Sequence, residues 1–444
     1  MDSKNLYLST SPGRLFVKTA LPGGISMLAS SLYTIFESMF IGKFLGTTAF
    51  AAFGLALPIV IVNFALADLI GVGASVPISI FLGRREDAKA NNYFTCATLM
   101  IWLTGLIIGV SFYLGAPFVM SAMGAEGELL KDAVTYIRIH TLFLPFITMV
   151  FALDNFLRIS GKVKTSMLLN IFMSLCTVVL EYLFICVFRL GIAGAAMGTS
   201  ISMLLSAAYG IFAFARGKLQ LKFTKPHFSI RLIVQIFKNG ISVFLTNVAG
   251  RVFSVVMNVM LLKFGSEAAV AVYGVALTVG GIIEMLLYGV IDSLQPAIGY
   301  NYGAERIDRV KAIEKYVLSV GATISVLGGV CIFAFAKPLS IPFLEDLALL
   351  PLAVEVLRFT SFAYLVKWLS QAVQGLFMAL EKPLAALIIS VCSSSMFPLI
   401  LIFVFYRLGL TGLWLNYPCA AFLTTVLAIV LFVTNKKRLF THKA

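Results

Sequence analysis

Two carboxylates stand out because of where they lie. Glu37 sits inside "SLYTIFESMFIG" (31–42), and Glu181 inside "NIFMSLCTVVLEYLF" (170–184), each deep in an apolar run. A charged side chain in such a setting is costly unless it faces a cavity or takes up a proton. Six further ionisable residues interrupt apolar runs: Asp68, Asp154, Arg251, Glu284, Asp292 and Lys367. Residues of this kind mark ion and substrate pathways. Their distribution is uneven. The first half of the chain holds four acids (Glu37, Asp68, Asp154, Glu181) and no base. The second half holds two acids and two bases, so it can neutralise itself while the first half handles protons or a cation.

Helical spacing gathers polar residues around these groups. Ser26, Ser30, Tyr33 and Glu37 recur at turn intervals, as do Asn170, Ser174, Thr177 and Glu181. Asn247, Arg251, Ser254 and Asn258 repeat the pattern, followed by Gly281, Glu284, Tyr288, Asp292 and Gln295, and by Tyr364, Lys367, Gln371 and Gln374. For a lone Ser, Thr or Asn, interhelical packing is the ordinary explanation. A carboxylate is a poor packing residue, so Glu37 and Glu181 are read as functional. Asp68, Asp154 and Asp292 lie nearer helix ends, where solvent or loop bases such as Arg158 can satisfy them. Arg251 and Lys367 can pair with Glu284 or Asp292.

The elements that must position these residues are membrane helices. The chain is 60% hydrophobic and 12% charged, against about 25% charged in a soluble domain, and its mean hydropathy is +0.98. A crossing takes ~20 mostly apolar residues. Twelve runs qualify: 15–42, 49–80, 92–119, 133–157, 165–188, 192–214, 236–262, 269–300, 312–335, 353–378, 384–406 and 411–434. Pro22 and several later prolines are expected to kink them. Of the 34 Lys and Arg, 24 fall on one side of this arrangement, 8 on the other and two within spans. The bias places both termini in the cytoplasm. The net charge of +14 resides in these short loops, with no basic stripe interleaved with aromatics, so nucleic-acid binding is not expected. The six cysteines form no C-x-x-C pair and read as buried free thiols. The three histidines lack metal-ligand spacing. No nucleophile–base pair or phosphate loop appears, so an enzyme is not expected. The first apolar run is too long for a cleaved leader.

The chain also repeats itself. Residues 18–83 shifted by 220 overlay 238–303 without a gap, with twelve identities that include Lys43/Lys263, Phe44/Phe264, Gly54/Gly274 and Gly83/Gly303. "RLGIAG" (189–194) returns as "RLGLTG" (407–412). The expected fold is therefore all-α and integral to the membrane: twelve transmembrane helices in two six-helix lobes related by a pseudo-two-fold axis along the membrane normal. The expected parts are a cytoplasmic N-terminus (1–14), an amino-terminal lobe (15–214), a basic linker (215–235), a carboxy-terminal lobe (236–434) and a cytoplasmic tail (435–444).

Four segments resemble one family. "QPAIGYNYGA" (295–304), "SLYTIFESMFIGKFLG" (31–46), "GVGASVPISIFLGRRE" (71–86) and "LGIAGAAMGTSIS" (190–202) are similar to segments of multidrug and toxic compound extrusion (MATE) transporters, in flavour the prokaryotic MepA-like members. The resemblance covers about 15–434. It implies a two-lobed antiporter that exports drug-like compounds against inward proton or sodium flow. It also implies an amino-lobe cation site at Glu37, Thr177, Glu181 and Thr199. The chain departs from the family pattern: both acids are Glu, Thr177 replaces an Asn, and Tyr182 replaces the Pro that commonly follows. Other members place carboxylates on the seventh and tenth helices, where this chain has Arg251 and Lys367.

The resulting expectation is a monomeric, multi-pass antiporter of a prokaryotic cytoplasmic membrane. It exports lipophilic, cationic compounds in exchange for protons and needs no cofactor beyond the coupling ion, H+ or Na+. Glu37, Glu181, Thr177, Thr199, Asp68 and Asp154 are the coupling candidates. Tyr33, Asn170, Asn258, Arg251, Glu284, Tyr288, Asp292, Gln295, Lys367 and Gln371 are the cavity candidates. A sodium-coupled antiporter, a flippase for lipid-linked oligosaccharides and a non-transporting receptor are the alternatives.

Overall fold

The computed structural model describes residues 5–344 and 346–440, and among these no strand occurs. The helices are α1 (Pro12–Phe40), α2 (Gly46–Gly83), α3 (Asp87–Ala122), α4 (Gly127–Leu142), α5 (Leu144–Ile159), α6 (Val163–Glu181), α7 (Ile192–Ala215), α8 (Ile230–Gly303), α9 (Ile307–Ala334), α10 (Ala336–Ser340), α11 (Leu350–Ala379), α12 (Pro383–Val391), α13 (Phe397–Val404) and α14 (Gly409–Phe440).

Nine helical segments among the described residues are long and apolar enough to cross a membrane. Two of them, Pro12–Gly83 with 72 residues and Ile230–Gly303 with 74, are far too long for one crossing and hold two each. The pair α4 and α5, bent by 60°, supplies one more, which restores the twelve crossings read from hydropathy. Phe118 is 80% exposed and Leu114 and Phe403 are each 71% exposed. A surface of this kind belongs in lipid.

The repeat is written into the backbone. The first long segment breaks at Gly46 with φ 87°, the second at Ser266 with φ 65°, 220 residues later. Arg85 and Glu305 form a second left-handed pair at φ 63° and 60°, and Gly161 and Glu381 a third at 74° and 56°. Gly191 and Gly409, both at φ 60°, open the returning "RLG" segments. The bonding repeats too. Gly161 N–H donates to Arg158 O at 2.9 Å and Lys162 N–H to Leu157 O at 2.9 Å; Glu381 and Lys382 make the same two bonds to Met378 and Phe377 at 3.0 and 2.8 Å. These are helix C-terminal caps, which need one left-handed residue.

Two compact units divide the chain. One holds Asn5–Ser9 and Ile25–Gly240; the other holds Thr10–Gly24 and residues 241–440. The division differs from the lobes expected at 15–214 and 236–434, because the first half of α1 belongs to the second unit and the first turns of α8 to the first unit. Pro22 lies inside α1, just before this change of unit, where its missing donor weakens the helix.

In the first unit α2 packs on α3, α4 and α5, and α6 packs on α7. Their core includes Phe53, Val60, Met120, Tyr136, Ile137 and Ile185. Gly73 and Gly240 bring α2 and the start of α8 so close that a Cβ on either would overlap a backbone carbonyl, of Ile236 or of Leu69. In the second unit α11 packs on α9 and α14, around Met257, Tyr273, Leu287, Leu357 and Trp414. There Gly24 and Gly289 meet, a Cβ on Gly289 standing 2.8 Å from Gly24 Cα. Small residues allow such backbone approach in membranes, where apolar burial does not drive association.

Among the described cysteines all six are free, with Cys96 and Cys392 buried. The expectation that every one is buried fails at Cys331, which is exposed on α9, and is met only in part at Cys176, Cys186 and Cys419, which are half-buried.

Candidate functional site

The first unit gathers Glu37, Glu181 and Thr199. Glu37 on α1 is 5% exposed, and Glu181 at the end of α6 is fully buried. Thr199 Oγ1 on α7 lies 3.0 Å from Glu37 Oε1 and 2.8 Å from Glu181 Oε1. Tyr136 on α4 donates its hydroxyl to Glu37 Oε1 at 3.1 Å. Thr177 Oγ1 and Ser202 Oγ lie 2.5 Å apart, and Ser202 also donates to Thr199 O at 2.8 Å, so Thr177 joins the cluster through Ser202. Two local features position the acids. Each is followed closely by a π-helical stretch, Ile41–Leu45 after Glu37 and Tyr182–Val187 after Glu181, a form that recurs at functional sites. Gly198 lets α7 approach α6: a Cβ there would stand 2.7 Å from Glu181 Cγ and 2.9 Å from Glu181 N.

The chemistry follows from counting protons. Thr199 has one hydroxyl proton and two carboxyl neighbours. It can donate to one; the other must carry its own proton to complete a bond to Thr199 Oγ1. Glu181 Oε2 is buried with no partner among the described residues. Two carboxyls bridged in this way are stable with one proton between them and strained with none. Tyr33, one turn before Glu37 on α1, is half-buried.

The remaining amino-unit candidates stand apart. Asp154 on α5 forms an ion pair with Arg158 at 2.6 Å, accepts from Asn170 Nδ2 at 2.8 Å, and accepts from Ser166 Oγ. Arg158 Nε donates to the same Ser166 at 3.2 Å, and the Arg158 carbonyl accepts from Tyr7. Asp154 and Asn170 thus sit in a satisfied network with a base, the pairing anticipated for Arg158. Asp68 is half-buried on α2.

The second unit holds an open site instead. A cavity of about 350 Å³ is lined by residues of α8, α11, α14 and the π-helical stretch Cys392–Met396, including Asn247, Arg251, Ser254, Tyr288, Lys367 and Gln371. Beside it Glu284 is fully engaged. It pairs with Lys367 Nζ at 2.5 Å, accepts from Gln371 Nε2 at 2.8 Å and from Tyr417 Oη at 3.2 Å. Lys367 also donates to Tyr417 Oη at 2.9 Å. Gln295 donates to Asp292 at 3.0 Å; neither residue lines the cavity, and nor does Asn258. The stripes identified three of the walls. They missed Tyr136 in the first unit, and Ser393, Ser394, Asn416 and Tyr417 in the second.

A sequence profile of the MatE family matches residues 22–183 and again 243–404, almost the two halves of the repeat. The chain belongs to this family. MatE proteins are multi-pass membrane transporters with twelve helices in two lobes, not enzymes. The chain is similar to the multidrug export protein MepA of Staphylococcus aureus (strain N315), 26% identical over 446 residues, 99% of this chain and 97% of that one. It is 28% identical to MepA of Staphylococcus saprophyticus over 434 residues, 96% and 94% of the two chains. An outward-facing structure of a multidrug resistance MATE transporter matches its fold with a TM-score of 0.91 at 21% identity, covering 99% of this chain and 98% of the other. Multidrug efflux is the activity these likenesses support. In MATE terms, the Glu37–Glu181–Thr199 cluster stands where the resemblance of the motifs implied a cation site, and the Arg251 and Lys367 departures open onto a cavity.

Proposed function

We propose that the protein is a proton-coupled antiporter, exporting lipophilic organic compounds as protons enter through Glu37 and Glu181. The reading rests on Thr199, one hydroxyl held between two buried carboxyls. Loading a proton relieves the repulsion of the pair and favours one packing of α1; releasing it favours another. Export needs only modest energy. One pH unit is worth about 1.4 kcal/mol per proton, roughly tenfold in substrate gradient. The transporter works as a monomer in the cytoplasmic membrane with both termini inside.

Efflux of a lipophilic cationic dye from proteoliposomes tests this, driven in turn by an imposed pH gradient and an imposed sodium gradient. The pH gradient is expected to drive efflux in the wild type and not in Glu37→Gln. Efflux driven by sodium alone would replace the proton with sodium at the same residues. Absence of dye movement under both gradients would favour the flippase.

A further inference from the structure

The second unit's cavity has a sign that the export reading does not use. Its lining carries two charged side chains, Arg251 and Lys367, and no Asp or Glu. Lys367 is already matched by Glu284 at 2.5 Å. Arg251 forms no ion pair or hydrogen bond among the described residues, and it stands with Asn247 and Ser254 on one wall. The cavity therefore presents one uncompensated guanidinium. Two buried acceptors in the lining also have no partner among the described residues, Asn416 Oδ1 and Gln371 Oε1. Asn416 is 1% exposed, and its amide nitrogen is held by Pro398 O at 2.7 Å, so its oxygen is fixed as an acceptor. The remaining walls include Phe253, Tyr273, Tyr288 and Tyr417, rings suited to a flat body. A buried acceptor left unpaired is costly, and a guanidinium is a fork built for carboxylates.

We infer that this cavity is a binding site for a flat aromatic carboxylate that also carries an N–H or O–H donor, with the carboxylate on Arg251 and the donor toward Asn416 and Gln371. One unmatched positive charge suits a monoanion, whereas a phosphate dianion would leave a charge over. The volume of about 350 Å³ falls in the range of small-molecule pockets. The inference rests on the export reading and deepens it by naming the cargo chemistry: to the expected lipophilic, cationic body it adds an acid group.

Binding without any gradient tests it. Dansylglycine and its methyl ester have the same ring system and N–H donor and differ in the carboxylate. Their affinities for the purified full-length protein in detergent are measured by fluorescence anisotropy. The wild type is expected to prefer the acid by about tenfold, the scale of one charge-assisted hydrogen-bond pair. Arg251→Gln is expected to abolish the preference by weakening binding of the acid far more than that of the ester, and Arg251→Lys to restore most of it. Arg251 is exposed, and a melting curve of each variant checks that the fold persists. Equal binding of acid and ester by the wild type, binding of neither, or a preference that survives Arg251→Gln would overturn the inference. A protein that prefers the acid but exports no dye would lose the export reading and keep this one.

Discussion

The two halves of this chain share a backbone and oppose each other in chemistry. At a shift of 220, Glu37 falls on Met257, which is 2% exposed in the second core. Glu181 falls on Leu401, also buried. In the other direction, Lys367 falls on Ile147 and Glu284 on Phe64. No functional charge of one half has a charged counterpart in the other. The left-handed residues at 46 and 266, 85 and 305, and 161 and 381 have nonetheless stayed in step. Helix ends and crossings set where side chains can reach, and they tolerate a free choice of which side chains do. One half has become a buried pair of acids bridged by a hydroxyl, the other a roomy pocket whose acid is neutralised and whose spare charge is positive.

The largest effect tests the acidic half. Glu181→Gln, like Glu37→Gln, is expected to reduce pH-driven dye efflux to the level of empty vesicles. The same assay on Glu284→Gln should leave a coupled, if slower, transporter; equal loss in all three would erase the contrast between the halves. Next comes the ion pair of the second half. Glu284 and Lys367 are 18% and 24% exposed in their side chains, so removing either alone strands a poorly solvated charge. Lys367→Met is expected to cost about 3 kcal/mol in a denaturant melt. The double variant with Glu284→Gln should recover most of it, and additivity of the two would show that the pair is not coupled.

Smaller effects sharpen the geometry. Gly198→Ala puts a methyl 2.9 Å from Glu181 N, and about 1–3 kcal/mol of overpacking should appear as a lower Tm. Thr199→Val keeps the volume and removes the bridging hydroxyl, so efflux should fall by about tenfold, the scale of one buried hydrogen bond, with Thr199→Ser close to wild type. Ser266→Gly is expected to raise stability by about 1 kcal/mol, since a left-handed position costs a residue with a Cβ; a fall in Tm would mean that the break at 266 is shaped by its side chain and not by its backbone.

Much of this was legible in the chain itself. Hydropathy alone reveals twelve crossings because a bilayer forces length and apolarity on every span, and the shift of 220 reveals the duplication. Glu37 and Glu181 were legible because an acid in a membrane demands a reason, whereas Thr199 was implied only by the resemblance of the motifs. Tyr136 was not, since a tyrosine in a span is ordinary and its helix is half of a bent pair. Ser393 and Ser394 lie on the π-helical stretch Cys392–Met396, where the 3.6-residue period that exposes a polar stripe is interrupted. Arg251 and Lys367 were visible as charges, but only distances show that Glu284 spends itself on Lys367 and leaves Arg251 over.

The sharing of α1 and α8 between units has a consequence for how the protein is made. The first unit lacks the piece that closes the groove at Leu69 and Gly73 until residues 230–240 have emerged from the ribosome. Thr10–Gly24, among the earliest residues made, must wait for Gly289 and Ser293 to find its seat. Neither half can therefore be finished before synthesis of the other is under way. A chain stalled or cut in the linker would leave both halves with an open seam, which ties quality control of the transporter to delivery of its second half.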